Sequence, residues 1–214
     1  VQANNIDLNI FVEGDGWEAI GQGGTPFTGL YNGNNFEIKN LWSGNITGHG
    51  GLFGYVAGFL HNITLSNVIL AKPSLDIGAL AGYVNNTAEN AVINCHATGI
   101  INEQKTYIGS NRIGGLIGYV LNGGIKDSSF TGIIRLPRGS NAGGLVGYLN
   151  GSTQKCWANA EIDAGDTVRV GGFAGYIAGG SHAYNYTITN IISASSEVGG
   201  FAGRTKGQIL NCWA

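Results

Sequence analysis

Apolar residues along this chain fall in short runs cut by glycine and asparagine, and one such run recurs. It reads Gly50-Gly51-Leu52-Phe53-Gly54-Tyr55, Gly78-Ala79-Leu80-Ala81-Gly82-Tyr83 and Gly114-Gly115-Leu116-Ile117-Gly118-Tyr119. It returns as Gly143-Gly144-Leu145-Val146-Gly147-Tyr148, Gly171-Gly172-Phe173-Ala174-Gly175-Tyr176 and Gly199-Gly200-Phe201-Ala202-Gly203-Arg204. Counted on the last glycine of each phrase, the steps are 28, 36, 29, 28 and 28 residues. A repeat of that length marks a solenoid, whose units bury their apolar faces only by stacking on one another.

Each unit holds three short apolar runs. In the third they are Gly115 to Leu121, Ile125 to Thr131 and Ile133 to Leu136, broken at Asn122-Gly123-Gly124 and at Gly132. Glycine and β-branched residues throughout discourage helix, and no window has helical periodicity. The pattern therefore predicts an all-β chain: a right-handed parallel β-helix, three-sided, of about seven coils. Residues 1–24 lack the phrase and read as an N-terminal cap, with a strand from Ile6 to Val12 and a turn at Glu13-Gly14-Asp15-Gly16. The repeats occupy residues 25–214, starting from a degenerate copy around Gly29. The eight extra residues of the long step, around Asn102 to Asn111, predict a loop at one corner.

Stacking one unit per coil sorts residues into columns. Leu52, Leu80, Leu116, Leu145, Phe173 and Phe201 form one, and Val56, Val84, Val120, Leu149 and Ile177 another on the same face, assigned to the core. A third reads Leu41, Ile63, Cys95, Ser128, Cys156, Ile191 and Cys212, also core. Just before it run Asn40, Asn62, Asn94, Asp127, Lys155, Asn190 and Asn211, a corner ladder suited to left-handed backbone and hydrogen bonds along the stack.

The phrase, with Val92 to Gly99 following the pattern Ile-x-Asn-Cys-x-Ala-Thr-Gly, resembles the GLUG motif repeats of secreted bacterial proteins. Those repeats occur in large surface adhesins and in the N-terminal regions of immunoglobulin A1 proteases. The resemblance covers residues 25–214 and implies a secreted or surface-attached β-solenoid. The protease's zinc signature is absent, so no protease activity follows from it.

Composition adds exclusions. Eleven basic and thirteen acidic residues give a formal net charge of −2, with no basic stripe for nucleic acid or for an anionic membrane. No run is long enough for a membrane-spanning helix, and the first residues form no signal peptide. The lack of any methionine is expected of an excised piece of a longer protein.

Candidate chemistry is sparse, and no cofactor or metal is expected. Cys95, Cys156 and Cys212 are two coils apart at each step, about 10 Å, too far for disulfides, and read as buried free thiols. Cys95 and His96 point to opposite faces, which excludes a nucleophile–base pair. One column reads Gly48, Asp76, Arg112, Asn141, Arg169 and Glu197, with Asp76 beside Arg112 and Arg169 beside Glu197; another sets Arg135 beside Asp163. These read as surface pairs across strands. Glu161 and Asp163 share a strand face and are the best candidates for a glycosidase pair. Five Asn-x-Ser/Thr sequons begin at Asn45, Asn62, Asn85, Asn150 and Asn185; chance accounts for most, and a bacterial source would leave them bare.

The ligand-binding candidates are Tyr55, Tyr83, Tyr119, Tyr148 and Tyr176. Each follows a core-facing glycine and is expected outside, beside Phe53, Ala81, Ile117, Val146 and Ala174, in an exposed stripe. The expected function is a non-catalytic extracellular stalk or adhesin segment that binds a host or neighbouring-cell glycan or protein through that stripe. A polysaccharide lyase or hydrolase on the same scaffold is the rival. A third reading is a filament of further copies, joined through the open coil at Ile209-Leu210-Asn211-Cys212-Trp213-Ala214.

Overall fold

The computed structural model describes residues 1–72, 75–102, 112–193 and 195–214. The chain is an all-β solenoid of about seven turns whose strand ladders all run parallel. Three sheets of thirteen, six and four strands carry it. The six-stranded sheet is built from the phrase itself, as Phe53–Val56, Ala81–Asn85, Ile117–Asn122, Val146–Leu149, Ala174–Ile177 and Ala202–Thr205. The four-stranded sheet holds the residues just before it: Arg112–Gly114, Asn141–Gly143, Arg169–Gly171 and Glu197–Gly199. The largest contains the long strands Phe59–Leu70, Val92–Ile101, Ser129–Arg135, Trp157–Gly165 and Tyr186–Ser193. The loop expected around Asn102 to Asn111 lies, beyond Asn102, outside the described residues.

Corners are fixed by backbone that few residues adopt readily. Asn62, Asn94, Asp127, Lys155, Tyr184 and Asn211 all take left-handed φ, between 48° and 58°. Asparagine and aspartate are suited to that conformation because their short polar side chains can hydrogen-bond locally. The amide ladder is present: Asn94 Nδ2 donates to Asn62 Oδ1 at 2.9 Å, and Asn62 Nδ2 to Asn32 Oδ1 at 3.1 Å. Two expected members belong elsewhere. Asn40 belongs to a second ladder, its Oδ1 accepting from Asn67 Nδ2 at 2.7 Å, and Tyr184 holds the corner expected of Asn190. Asn190 lies mid-strand, in register with Glu161.

The core columns hold. Leu80, Leu116, Leu145, Phe173, Val56, Val120, Leu149 and Ile177 have no exposed surface. Ile63, Cys95, Ser128 and Cys156 line one buried row, but its sixth place belongs to Asn185 and not to Ile191. The Asn185 side chain accepts from the Cys156 N–H at 2.9 Å, as the Ser128 hydroxyl does from Cys95 N–H at 3.1 Å. Leu41 is buried, yet it sits with Val68 because Trp42 pairs with Ile69.

Three further expectations change. Gly132 does not end a strand: Ser129–Arg135 runs through it, and the break falls at Asp127. At the N-terminus only Ile6–Asp7 is strand, followed by a single 3-10 turn at Asn9–Phe11. Of its alternating residues only Leu8 is buried, so alternation there signals no two-faced strand. Finally, Ile20 and not Gly29 begins the stack under the first phrase: Ile20 bridges Phe53, and Phe27 bridges Val56.

Candidate functional site

The tyrosines lie where two sheets meet. In the third coil the chain runs along Arg112–Gly114, turns at Gly115-Leu116, and returns as Ile117–Asn122. The backbones approach so closely that a Cβ on Gly147 would sit 2.6 Å from Gly118 O and 2.8 Å from both Ile113 N and Ile113 O. The register links Ile117 to Val146, Tyr119 to Tyr148 and Val120 to Leu149, passing over the glycine. That kink overrides simple alternation, so the apolar residues on both sides of Gly-Tyr turn inward. Phe53, Ala81, Ile117, Val146 and Ala174, expected outside, are all fully buried.

The five tyrosines are half-buried and form a continuous stack. Ring centroids are 4.6 Å apart for Tyr55–Tyr83, 5.0 Å for Tyr83–Tyr119, 4.9 Å for Tyr119–Tyr148 and 5.1 Å for Tyr148–Tyr176. The first pairs are tilted or stacked, and the last two are edge-to-face at 79° and 87°. Arg204 takes the sixth place, in register with Tyr176. Burial raises the hydroxyl pKa of Tyr83 and Tyr119 above the ordinary phenol value, while Arg112 beside them pulls the other way.

A polar column flanks the rings: His49, Asp76, Arg112, Asn141, Arg169 and Glu197. Its first member is His49 and not Gly48, because Gly50 bridges Ile77, one residue off the register that counting from the phrase gives. Asp76 is buried and takes two charge-assisted hydrogen bonds from Arg112, Nε to Oδ1 at 2.6 Å and Nη2 to Oδ2 at 3.0 Å. His49 Nδ1 lies 3.4 Å from the same carboxylate, off line for a hydrogen bond. The Asp76–Arg112 pair is thus no exposed surface pair. Its guanidinium also stands 3.9 Å over the Tyr119 ring, where ring electrons favour a cation. Arg169 repeats the arrangement two coils on, 2.8 Å from Glu197 and 4.9 Å over Tyr176.

The other candidates stay apart from this face. Cys95 and Cys156 are buried thiols pushed up to about 12 by desolvation, and Cys212 is half-buried. His96 bonds Ser129 and Asn94 on the outer side, away from the Cys95 sulfur. Glu161 and Asp163 lie on the outer face of Trp157–Gly165, with Arg135 in register with Asp163. Among the described residues, no group of three or more His, Cys, Asp or Glu is placed to hold a metal ion. No described helix is long and apolar enough to cross a membrane.

Two features escaped the sequence reading. A second aromatic ladder, Trp157–Tyr186–Trp213, stacks with planes within 8° at 5.9 and 4.7 Å. Its signal was the residue after each member of the Cys95 column, as in Cys156-Trp157 and Cys212-Trp213. A cleft of about 580 Å³ also opens at the N-terminal end, lined by Trp17, Glu18, Gln22, Asn45, Thr47 and His49. Nothing in residues 1–24 repeats, so no column pointed to it.

The third phrase, which forms the glycine kink and carries Tyr119, lies within a stretch that matches a known family. Residues 109–135 match the GLUG motif family. An alignment 140 positions long, covering 58% of the chain, is 35% identical to halomucin of Haloquadratum walsbyi (strain DSM 16790 / HBSQ001). That alignment spans about 1% of halomucin's length. No solved structure matches the chain. In this chain the matched phrase lies in a parallel β-solenoid, and neither match carries the immunoglobulin A1 protease connection.

Proposed function

We propose that this GLUG repeat chain is a non-catalytic extracellular segment of a surface or secreted protein, and that its tyrosine–arginine face binds a linear glycan. The repeat architecture, the GLUG match and a relative named as a mucin support the extracellular reading. The observation that carries the binding reading is the pair of columns running side by side over successive coils at about 5 Å per step. Neighbouring rings and guanidinium groups cover most ring faces, so the surface offered is a row of phenol edges, hydroxyls and Arg N–H groups. Such a row suits hydrogen bonding to a polyhydroxylated chain lying along the solenoid axis, contacted weakly at each coil and more strongly in sum.

The test is a glycan array read with the wild-type chain and with Tyr119→Phe/Tyr148→Phe, which removes two hydroxyls and keeps both rings. Binding of a linear glycan by the wild type, reduced at least tenfold in the variant at an unchanged melting temperature, is the expected result. Equal binding by both proteins refutes the assignment of this face. Turnover of any glycan, lost in Glu161→Ala/Asp163→Ala, replaces the non-catalytic reading with the enzymatic one.

A further inference from the structure

The structure sorts the five Asn-x-Ser/Thr sequons into two kinds. In four, the asparagine amide nitrogen donates a hydrogen bond within the fold. Asn62 Nδ2 donates to Asn32 Oδ1 at 3.1 Å, Asn85 Nδ2 to Tyr55 Oη at 3.4 Å, and Asn150 Nδ2 to Leu121 O at 3.1 Å. Asn185 is fully buried, with Nδ2 on Thr153 O and Oγ1 at 3.3 and 2.9 Å. A sugar on the buried Asn185 nitrogen has no room, and on the three half-buried asparagines it would crowd the acceptor that the amide nitrogen already engages.

Asn45 differs on every count. It is exposed, as is Thr47 of the same sequon, and no hydrogen bond engages either side chain among the described residues. The backbone around it is pinned: Gly44 N–H donates to Asp15 O and Ile46 N–H to Lys72 O, each at 3.0 Å, and the Ile46 side chain is buried. The sequon is thus held in a fixed, exposed loop outside the strands, along the open N-terminal cleft, where a bulky polar group displaces water and no packed side chain.

We propose that Asn45 is an N-glycosylation site of the mature protein and that the other four sequons stay bare. The proposal rests on the extracellular reading above, since the transfer needs a lipid-phosphate-linked sugar donor of the export route. In that step Asn45 Nδ2 forms a bond to the anomeric carbon of the donor sugar. The bond from that carbon to the donor phosphate oxygen breaks, the lipid phosphate leaves as the anion, and Nδ2 gives up one proton to a base.

The test is glycopeptide mass spectrometry of the chain recovered from the cells that make it, after separating surface and medium from the cell interior. A glycan on the Asn45 peptide, with unmodified Asn62, Asn85, Asn150 and Asn185 and a single-species mass for Asn45→Gln, is the expected result. Because the Asn45 side chain has no hydrogen-bond partner among the described residues, that variant is expected to keep the wild-type melting temperature. A surface or medium chain with bare Asn45 overturns the proposal while leaving the extracellular reading intact. A glycan on any of the four bonded asparagines also overturns it. A chain found only inside the cell with bare Asn45 overturns both.

Discussion

Adding one methyl group to Gly147 tests the kink that positions the tyrosines. Gly147 has ordinary backbone φ, so Gly147→Ala introduces no conformational strain of its own. Its cost is steric, since the new carbon would meet Gly118 O at 2.6 Å and Ile113 N and O at 2.8 Å. These are backbone atoms of the neighbouring coil, held by parallel ladders, and cannot swing aside as a flexible side chain can. Overpacking of a well-packed interior costs about 1–3 kcal/mol, and three backbone clashes put this case at about 3. For a chain of this size, that is a fall of about 6–12 °C in melting temperature. Gly24→Ala is the control. Nothing lies within 4 Å of its added carbon, so stiffening the unfolded chain should leave it neutral or about 0.4–1 kcal/mol more stable. Thermal unfolding followed by circular dichroism measures both. A Gly147→Ala protein melting within about 2 °C of wild type refutes the close sheet contact.

Leu116→Asp should leave no cooperative melt, because a carboxylate enters a fully buried aliphatic column with no partner; an unchanged melting temperature shows the face assignment to be wrong. Tyr184→Asn should stabilise by about 1 kcal/mol, since an exposed tyrosine holds φ of 58° where asparagine is at less cost; a lower denaturation midpoint counts against the strain argument. Burial raises the Cys95 and Cys156 thiols from 9.0 to about 12, so the unfolded chain loses their protons first. Stability is untouched below pH 9 and falls by about 1.4 kcal/mol per pH unit per thiol as pH rises above it, and Cys95→Ala/Cys156→Ala should show a shallower fall in urea titrations at pH 8 to 10.5. Equal slopes in variant and parent refute the thiol assignment.

Much of the fold was legible because a parallel solenoid repeats its physics. A position that must be apolar in one coil must be apolar in the next, so Leu80, Leu116 and Leu145 announce one buried column without any tertiary information. The Asp76–Arg112 and Arg169–Glu197 neighbours follow from the same counting. Counting fails where a unit gains or loses a residue. Gly50 bridges Ile77 but lies 4 residues before Gly54 where Ile77 lies 5 before Gly82, which puts His49, not Gly48, at the head of the polar column. Likewise Asn40 and Asn190 look like corner residues by type, but the ladder assigns that corner to Asn62 through Tyr184 to Asn211. Asparagine serves at more than one corner of this coil, so residue type alone does not fix the register.

The tyrosine face was half legible, and the missing half changes its chemistry. Spacing places one tyrosine per coil, and strand alternation then puts each ring outside with an apolar neighbour two residues before it. That inference treats the phrase as a straight strand. Phrase and preceding strand instead form a tight arch closed by facing glycines, and no single-strand pattern reports the distance between two sheets. The arch draws Ile117 and Val120 inward together and leaves Tyr119 half-covered, with Arg112 of the opposite strand laid over its ring. A bare aromatic stripe would recruit partners by apolar burial and would favour association. A ladder whose faces are occupied by neighbours and guanidinium groups would recruit through directional hydrogen bonds at its edges. The two differ in salt and solvent response, so loss of glycan binding on removing only the Tyr119 and Tyr148 hydroxyls separates edge recognition from ring-face stacking.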